Sequence, residues 1–199
     1  MRTVFAILAA AWALAAPLGA ARADDAAAPH AGLSGSFVYI YTFLDVREVE
    51  FGPRLLDQLD SQLMADLEKG GARAKVLRFK ASQPAQAYAF KTQFPVRGSV
   101  YSTDPISVDE TIQSNLADEA AVGARYRLVE FPVSVSVRGP HEYYAIRYTL
   151  IDCATGKTVW QVVNHGKHLI WVKVDEDAEG RARKMTEEVL EQLKTAGYL

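Results

Sequence analysis

The sequence predicts an α+β fold in which a mixed sheet of about five strands carries three helices. The first strand, Phe37 to Leu44, is apolar on both of its alternating faces, which is typical of a central strand covered on both sides. A leucine stripe from Pro53 to Gly70 predicts a helix that crosses over to a parallel second strand. Two runs of aromatic and β-branched residues flank residues 152–157, and this pattern predicts an antiparallel hairpin.

Two further helices follow from apolar residues at helical spacing. One begins near Asp109 and ends at Gly123. Its expected apolar side consists of Ile112, Leu116 and Ala120. The other, residues 178–198, closes the domain, and Gly197 is expected to end it.

The segment from Arg125 to Val137 alternates valines with serines, so that one face of a strand would be buried and the other wet. This pattern predicts an outer antiparallel strand, and Pro132 predicts a bulge or an edge position within it. A strand with a free edge can accept a strand from a partner protein. We therefore regard Val133 and Val135 as candidate partner-binding residues.

The first 23 residues have the features of a cleaved bacterial signal peptide: Arg2, an apolar run over 4–16 and small residues before the cut. The run is short for a bilayer span, which needs about 20 residues, although an uncleaved signal anchor is the alternative. No cysteine stands near the cut, so we expect a soluble periplasmic protein without a direct membrane anchor. Residues 24–36 are predicted to be a flexible lead-in and 37–199 a single α/β domain.

The charge balance limits the possible partners, and the cysteine content limits the possible disulfides. Without Arg2 and Arg22, 20 basic residues remain against 24 acidic ones, and neither sign forms a long block. This mildly acidic balance argues against nucleic acid as a partner. Cys153 is the only cysteine, so no intrachain disulfide forms and stability must come from packing.

The sequence contains no motif that carries a known catalytic chemistry. His165 and His168 are three residues apart, so on a strand they share a metal ion only if Gly166 breaks the strand. Asp45 follows the first strand, where α/β sheets bind ligands, but no second converging group accompanies it. We therefore predict no enzymatic activity, no cofactor and no metal site. A divergent enzyme that uses Asp45, His165 or His168 remains a third hypothesis.

The connection over residues 80–105 is long and contains several aromatic residues without a regular period. These candidate contact residues are Tyr88, Phe90, Phe94 and Tyr101. We expect this connection to be either a recognition surface or a loop folded onto the core.

The predicted hairpin also resembles one found in several bacterial envelope proteins. The matching residues are Leu150, Asp152, Thr155, Gly156 and Trp160. The families that it resembles are the curli-secretion lipoproteins, the penicillin-binding-protein activator lipoproteins and the amino-terminal domain of the Tol-system periplasmic protein. The resemblance implies an α/β domain like the anticodon-binding domains of tRNA synthetases, used for protein contacts and not for catalysis. The lipoproteins need an acylated cysteine, which this sequence lacks at the cut.

Together these patterns predict a non-enzymatic, soluble periplasmic protein-interaction module that acts in cell-envelope assembly or transport. Its partner would be another envelope protein or a second copy of this chain. The alternative is a periplasmic carrier of a small apolar or lipid-like ligand, held in a pocket between the sheet and the helices.

Overall fold

The computed structural model describes residues 32–44, 53–79, 108–169 and 177–199. Its strands are β1 (Phe37–Thr42), β2 (Arg73–Arg78), β3 (Tyr126–Arg138), β4 (His141–Asp152) and β5 (Thr158–Leu169). Its helices are α1 (Pro53–Lys69), α2 (Val108–Ala121) and α3 (Ala178–Thr195). The predicted fold class, a mixed sheet of five strands with three helices, is confirmed.

The five strands form one sheet in the order β2-β1-β3-β4-β5. β1 is parallel to both β2 and β3, whereas β3, β4 and β5 are antiparallel neighbours. The predicted parallel pairing of the first two strands is confirmed. The prediction that β3 is an outer strand is wrong, because β1 and β4 pair with it on opposite sides.

β1 separates two apolar layers, as its two-faced pattern predicts. Val38 and Ile40 lie in the main core between the sheet and the helices α1 and α3. Tyr39, Tyr41 and Phe43 lie in a second cluster on the opposite side, together with residues of α2. All five side chains are fully buried. The aromatic residues therefore belong to the core and do not form a platform for stacking a ligand.

α1 and α3 cover the same side of the sheet. The predicted leucine stripe of α1 is buried there: Leu55, Leu59, Leu63 and Leu67. α3 contributes Ala182, Met185, Val189 and Leu193 to the same core. α3 begins at Asp177, whose side chain accepts a hydrogen bond from the N–H of Gly180 at 3.3 Å.

The chain before β1 takes part in this core. Leu33 is buried, and its N–H donates to the carbonyl of Tyr198 at 2.7 Å. The N–H of Gly35 donates to the carbonyl of Gly71 at 2.8 Å. The prediction of a flexible lead-in is therefore wrong for its last residues, because hydrogen bonds join them to the segments that follow α1 and α3. Residues 1–31, which include the predicted signal peptide, lie outside the described part of the chain.

α2 packs on the other side of the sheet through a few apolar residues and through two ion pairs. Only Ile112 and Glu119 of this helix are buried, whereas Leu116 is 38% exposed. The predicted apolar side, in which Leu116 and Ala120 accompany Ile112, is therefore wrong. Ion pairs add to the attachment, because two neighbouring carboxylates of α2 reach the sheet. Asp118 accepts hydrogen bonds from Lys75 and Tyr39, and Glu119 binds Arg127 through two bonds of 2.6 and 2.5 Å.

The antiparallel strands extend beyond β1. β1 pairs with β3 only from Tyr126 to Glu130, whereas β3 continues to Arg138. The register of β3 on β4 shifts between Pro132 and Ser134, which confirms the predicted bulge. We refer to the strands past this point, residues 131–138, 141–147 and 163–169, as the overhang.

The main core yields a direct stability test. Replacing Leu59, which is buried in this core, with alanine removes packed atoms and is expected to cost about 2–5 kcal/mol of unfolding free energy. Leu116→Ala makes the same chemical change on the exposed side of α2 and should cost less than about 1 kcal/mol. Urea unfolding followed by circular dichroism measures both. Equal losses would contradict this assignment of core and surface.

Candidate functional site

One face of the overhang combines exposed apolar side chains with basic ones. Even-numbered residues of β4, from Tyr144 to Leu150, face the main core, so the odd-numbered residues lie on the opposite side. Tyr143, Val163 and Leu169 on that side are 38%, 38% and 41% exposed. Large apolar side chains are seldom left this exposed in a group on a monomer, which marks the face as a candidate contact surface.

Basic residues alternate with these apolar residues in the register of the strands. Tyr143 is directly opposite Lys167, and Val163 is directly opposite Arg147. The Arg147 guanidinium lies over the Phe131 ring, 5.7 Å from its centre. The face as a whole, which we call the basic face, comprises Arg138, His141, Tyr143, Arg147, Val163, His165, Lys167 and Leu169. No Asp or Glu occupies a position on this side of the described overhang strands.

The two valines singled out in the sequence lie at the inner end of the overhang. Val133 is half-buried at the bulge, and the backbone of Val135 pairs with Tyr144. β3 is an inner strand up to Glu130, but past Glu130 no strand among the described residues pairs with it on the side of β1. The free edge that the sequence predicts is therefore present for the second half of β3 alone.

The aromatic connection over residues 80–105 lies outside the part of the chain that the structure describes. Tyr88, Phe90, Phe94 and Tyr101 all lie outside the described residues, and so does Asp45. Trp160 is described, and it is a half-buried residue packed against the main core.

The histidine pair does not meet the condition for a shared metal ion. β5 continues through Gly166, which pairs with Tyr144, so His165 and His168 stay on alternate positions of an unbroken strand. Within the described ranges, no group of three or more side chains has an arrangement that would hold a metal ion. The described helices also include none that is long and apolar enough to cross a membrane.

Cys153 lies in a polar cluster beneath the C-terminal end of α2. Its Sγ is 4.0 Å from Oε2 of Glu119, the carboxylate that also binds Arg127. Burial of the thiol, followed by the Glu119 charge, raises the pKa of Cys153 to about 11. At neutral pH the residue is therefore a protonated thiol and a poor nucleophile.

A buried polar row, which sequence analysis missed, crosses the sheet at the carboxyl ends of the parallel strands. Arg78, Thr42 and Glu130 are directly opposite one another on β2, β1 and β3. Asp60 of α1 lies against this row and accepts a hydrogen bond from Arg78 Nε at 2.9 Å. The sequence signal that could have indicated this row is the glutamate in the otherwise apolar sequence Leu128 to Phe131.

Glu130 is the unusual member of this row. Its side chain is fully buried, and neither carboxylate oxygen completes a hydrogen bond within the described residues. Burial raises the pKa of Glu130 to about 8, and the Asp60 charge adds to the shift, whereas Thr42 and Arg78 oppose it. The carboxyl group is therefore mostly protonated at neutral pH.

No family model and no curated protein matches this chain. Among solved structures, the chain is similar to a PelC dodecamer from Paraburkholderia phytofirmans, at 14% identity, with 78% of this chain and 90% of that chain covered and a TM-score of 0.42. Lipoprotein GNA1162 from Neisseria meningitidis is 13% identical over 80% of this chain and 99% of its own, with a TM-score of 0.37. Hypothetical protein CT253 from Chlamydia trachomatis is 12% identical over 82% and 97%, with a TM-score of 0.39.

These neighbours include bacterial lipoproteins, the class of protein that the hairpin resemblance implies. TM-scores below 0.5 nevertheless carry no argument about family, assembly or activity. The kinship with the curli-secretion, penicillin-binding-protein activator or Tol-system proteins therefore stays a prediction.

Glu130 makes stability depend on pH in a definite direction. Because its folded pKa of about 8 exceeds the ordinary unfolded value, the folded state binds more protons, and wild-type stability should fall as pH rises from about 5 to about 8, by up to about 1.4 kcal/mol per pH unit. The Glu130→Gln variant lacks this titration. Its free energy of unfolding should therefore increase relative to that of the wild type as the pH rises over this interval. Urea unfolding at pH 5, 7 and 9 measures the gain.

The exposed Glu191 of α3 provides the control for this test. Glu191→Gln should change stability by a similar small amount at all three pH values. If the difference between wild type and Glu130→Gln is also constant across pH, the carboxyl group of Glu130 does not titrate as described.

Proposed function

We propose that this protein is a non-enzymatic protein-binding module of the bacterial cell envelope, located in the periplasm and active in envelope assembly or transport. The basic face of the overhang is the observation that carries the proposal. Its exposed tyrosine, valine and leucine offer apolar area, and its arginines and lysine offer directed hydrogen bonds. Tyr and Arg are the residue types that contribute most often to binding energy at protein interfaces.

The strands beneath this face hold it in a fixed geometry. β4 is paired along its whole overhang portion with β3 on one side and β5 on the other. A rigid sheet loses little conformational entropy when it binds, which favours affinity. The absence of acidic positions on the described basic face suits a partner with an acidic contact surface, because complementary charge accelerates association and selects the partner.

The edge of β3 beyond Glu130 supplies a second mode of contact. At Val133 and Val135, no strand among the described residues pairs with its backbone on the side of β1, so an added strand could pair there. In this proposal the added strand would continue the sheet where β1 ends. The aromatic residues Tyr88, Phe90, Phe94 and Tyr101 are retained as a proposed contact on the basis of the sequence alone.

The carrier hypothesis has less support. The most enclosed of the described cavities, between α3 and the strands β4 and β5, has a volume of about 100 Å³ and is lined partly by charged side chains. Larger spaces of about 470, 510 and 690 Å³ are open surface grooves, and each is bordered by several charged side chains. A lipid chain requires a larger and more apolar cavity, since ligand pockets commonly reach about 300–1,000 Å³.

Site-specific photo-crosslinking in the periplasm tests the proposed surface. A benzophenone amino acid at Val163, an exposed position at the inner end of the basic face, should give an adduct of defined mass with an envelope protein or with a second copy. The same group at Glu187, an exposed position on α3, is the matched control. Identical adducts from both positions would contradict the assignment of the basic face.

Two sets of variants separate the contributions to this adduct. Replacing Arg147 and Lys167 with serine should reduce the adduct yield from Val163 at least about tenfold, since the loss of even one charged hydrogen bond at an interface costs about 1.5–3 kcal/mol. Raising the salt concentration should reduce the wild-type yield in the same direction. The triple substitution of Tyr88, Phe90 and Phe94 reports on the aromatic connection, and an unchanged yield there would remove that segment from the proposal.

A further inference from the structure

A small cavity lies between α3 and the side of the sheet that faces it. Its volume is about 100 Å³, the space of about three water molecules. Its lining includes Asn164, His165 and Lys167 of β5 and Arg181, Lys184 and Glu188 of α3. A space of this size admits one small group such as a phosphate or a carboxylate.

Hydrogen-bond donors dominate this lining. Asn164 accepts a weak bond from Gln192 Nε2 at 3.4 Å through Oδ1, while its Nδ2 is buried and has no partner within the described residues. A buried amide donor left without an acceptor costs free energy, so a bound acceptor would relieve that cost. Lys184, on the exposed side of α3, forms no ion pair with another described residue.

Tyr144 and Arg181 form the wall nearest to the end of the sheet. The Arg181 guanidinium is hydrogen-bonded to the Tyr144 hydroxyl. The Tyr144 ring lies directly over Gly166 on β5, where the Cβ of any other residue would overlap it. Glycine inside a strand weakens the strand, and it commonly marks a place of close approach. Gly166 thus allows the ring to fold across β5 and to present its hydroxyl beside Arg181.

We propose that this cavity binds a phosphate group. Arg181 and Lys184 supply the positive charge, and Asn164 Nδ2 donates a hydrogen bond to a phosphate oxygen. Glu188 is the one carboxylate in the lining. It can accept a hydrogen bond from the O–H of a hydrogen phosphate or of a monoester monoanion, whereas sulfate has no such proton at neutral pH. The lining therefore favours phosphate over sulfate.

His165 and Lys167 of the basic face also border this cavity, but the side chains that hold phosphate in this proposal, Asn164, Arg181 and Lys184, do not belong to that face. The cavity faces α3, whereas the basic face lies on the opposite side of the sheet. Binding of phosphate and crosslinking from Val163 can therefore succeed or fail independently.

Titration of the full-length protein with inorganic phosphate tests the proposal, with chloride replaced by phosphate at constant ionic strength and pH 7. The melting temperature and the NMR shift of the Asn164 side-chain amide are the two readouts. Phosphate should raise the melting temperature and move the amide signal in a saturable manner, and sulfate should do so less. Glycerol 3-phosphate, used in a parallel titration, distinguishes a free phosphate from a phosphate ester as the preferred source.

Matched variants locate the binding. Lys184→Met should weaken phosphate binding about tenfold or more, as expected for the loss of a hydrogen bond to a charged group, and Asn164→Asp should abolish the shift by charge repulsion. Arg183→Met is the control, because Arg183 lies on the same helix but pairs with Glu179 at 2.7 Å outside the cavity. Lack of saturation, equal effects of sulfate and phosphate, or equal weakening in Arg183→Met would overturn the proposal.

Discussion

The limited pairing between β1 and β3 is the constraint on which the rest of the structure depends. Only Val38 to Thr42 of β1 face β3, at Tyr126 to Glu130, while β3 itself is 13 residues long. One half of the sheet is therefore a short parallel unit packed between helices, and the other half is an antiparallel sheet that outgrows it. Helices pack on both sides of the parallel half. On the antiparallel half, no helix among the described residues packs on the basic face.

The two sides of the parallel unit contact their helices through different kinds of side chain. On the side of α1 and α3 the contacts are mostly apolar, and the buried carboxyl group of Glu130 lies among them beside the Asp60–Arg78 ion pair. On the side of α2 the helix has few apolar residues to bury, so adjacent carboxylates of Asp118 and Glu119 attach it to Lys75, Tyr39 and Arg127. An ion pair with two bonds and little exposure, such as that of Glu119 with Arg127, fixes direction as well as distance. This attachment explains how a helix with a weak apolar pattern keeps a definite position.

Local patterns were sufficient for most of the fold and for little of the candidate sites. The leucine period of α1 and the two-faced β1 predict their burial because each depends on near neighbours in the sequence. The apolar side of α2 was predicted wrongly, because the helix turns Glu119 towards Arg127 of β3 and leaves Leu116 exposed. The order of strands, which makes β3 an inner strand, depends on the crossover through α2 and not on the alternation of valine and serine. Tyr144 and Gly166 likewise meet only because two strands pair.

The hairpin residues on which the family resemblance rests have structural roles in this protein. Asp152 Oδ1 accepts bonds from the N–H and hydroxyl of Thr155 at 2.8 and 3.0 Å, and Gly156 takes a φ of 68° that favours glycine. Leu150 is fully buried opposite Trp160, which covers the edge of the main core. Residues that build a turn and pack its flanks would be retained by any protein that uses the hairpin, whatever it binds. Function must therefore be sought where side chains are not needed for folding, which in this chain means the exposed basic face and the donor-lined cavity behind it.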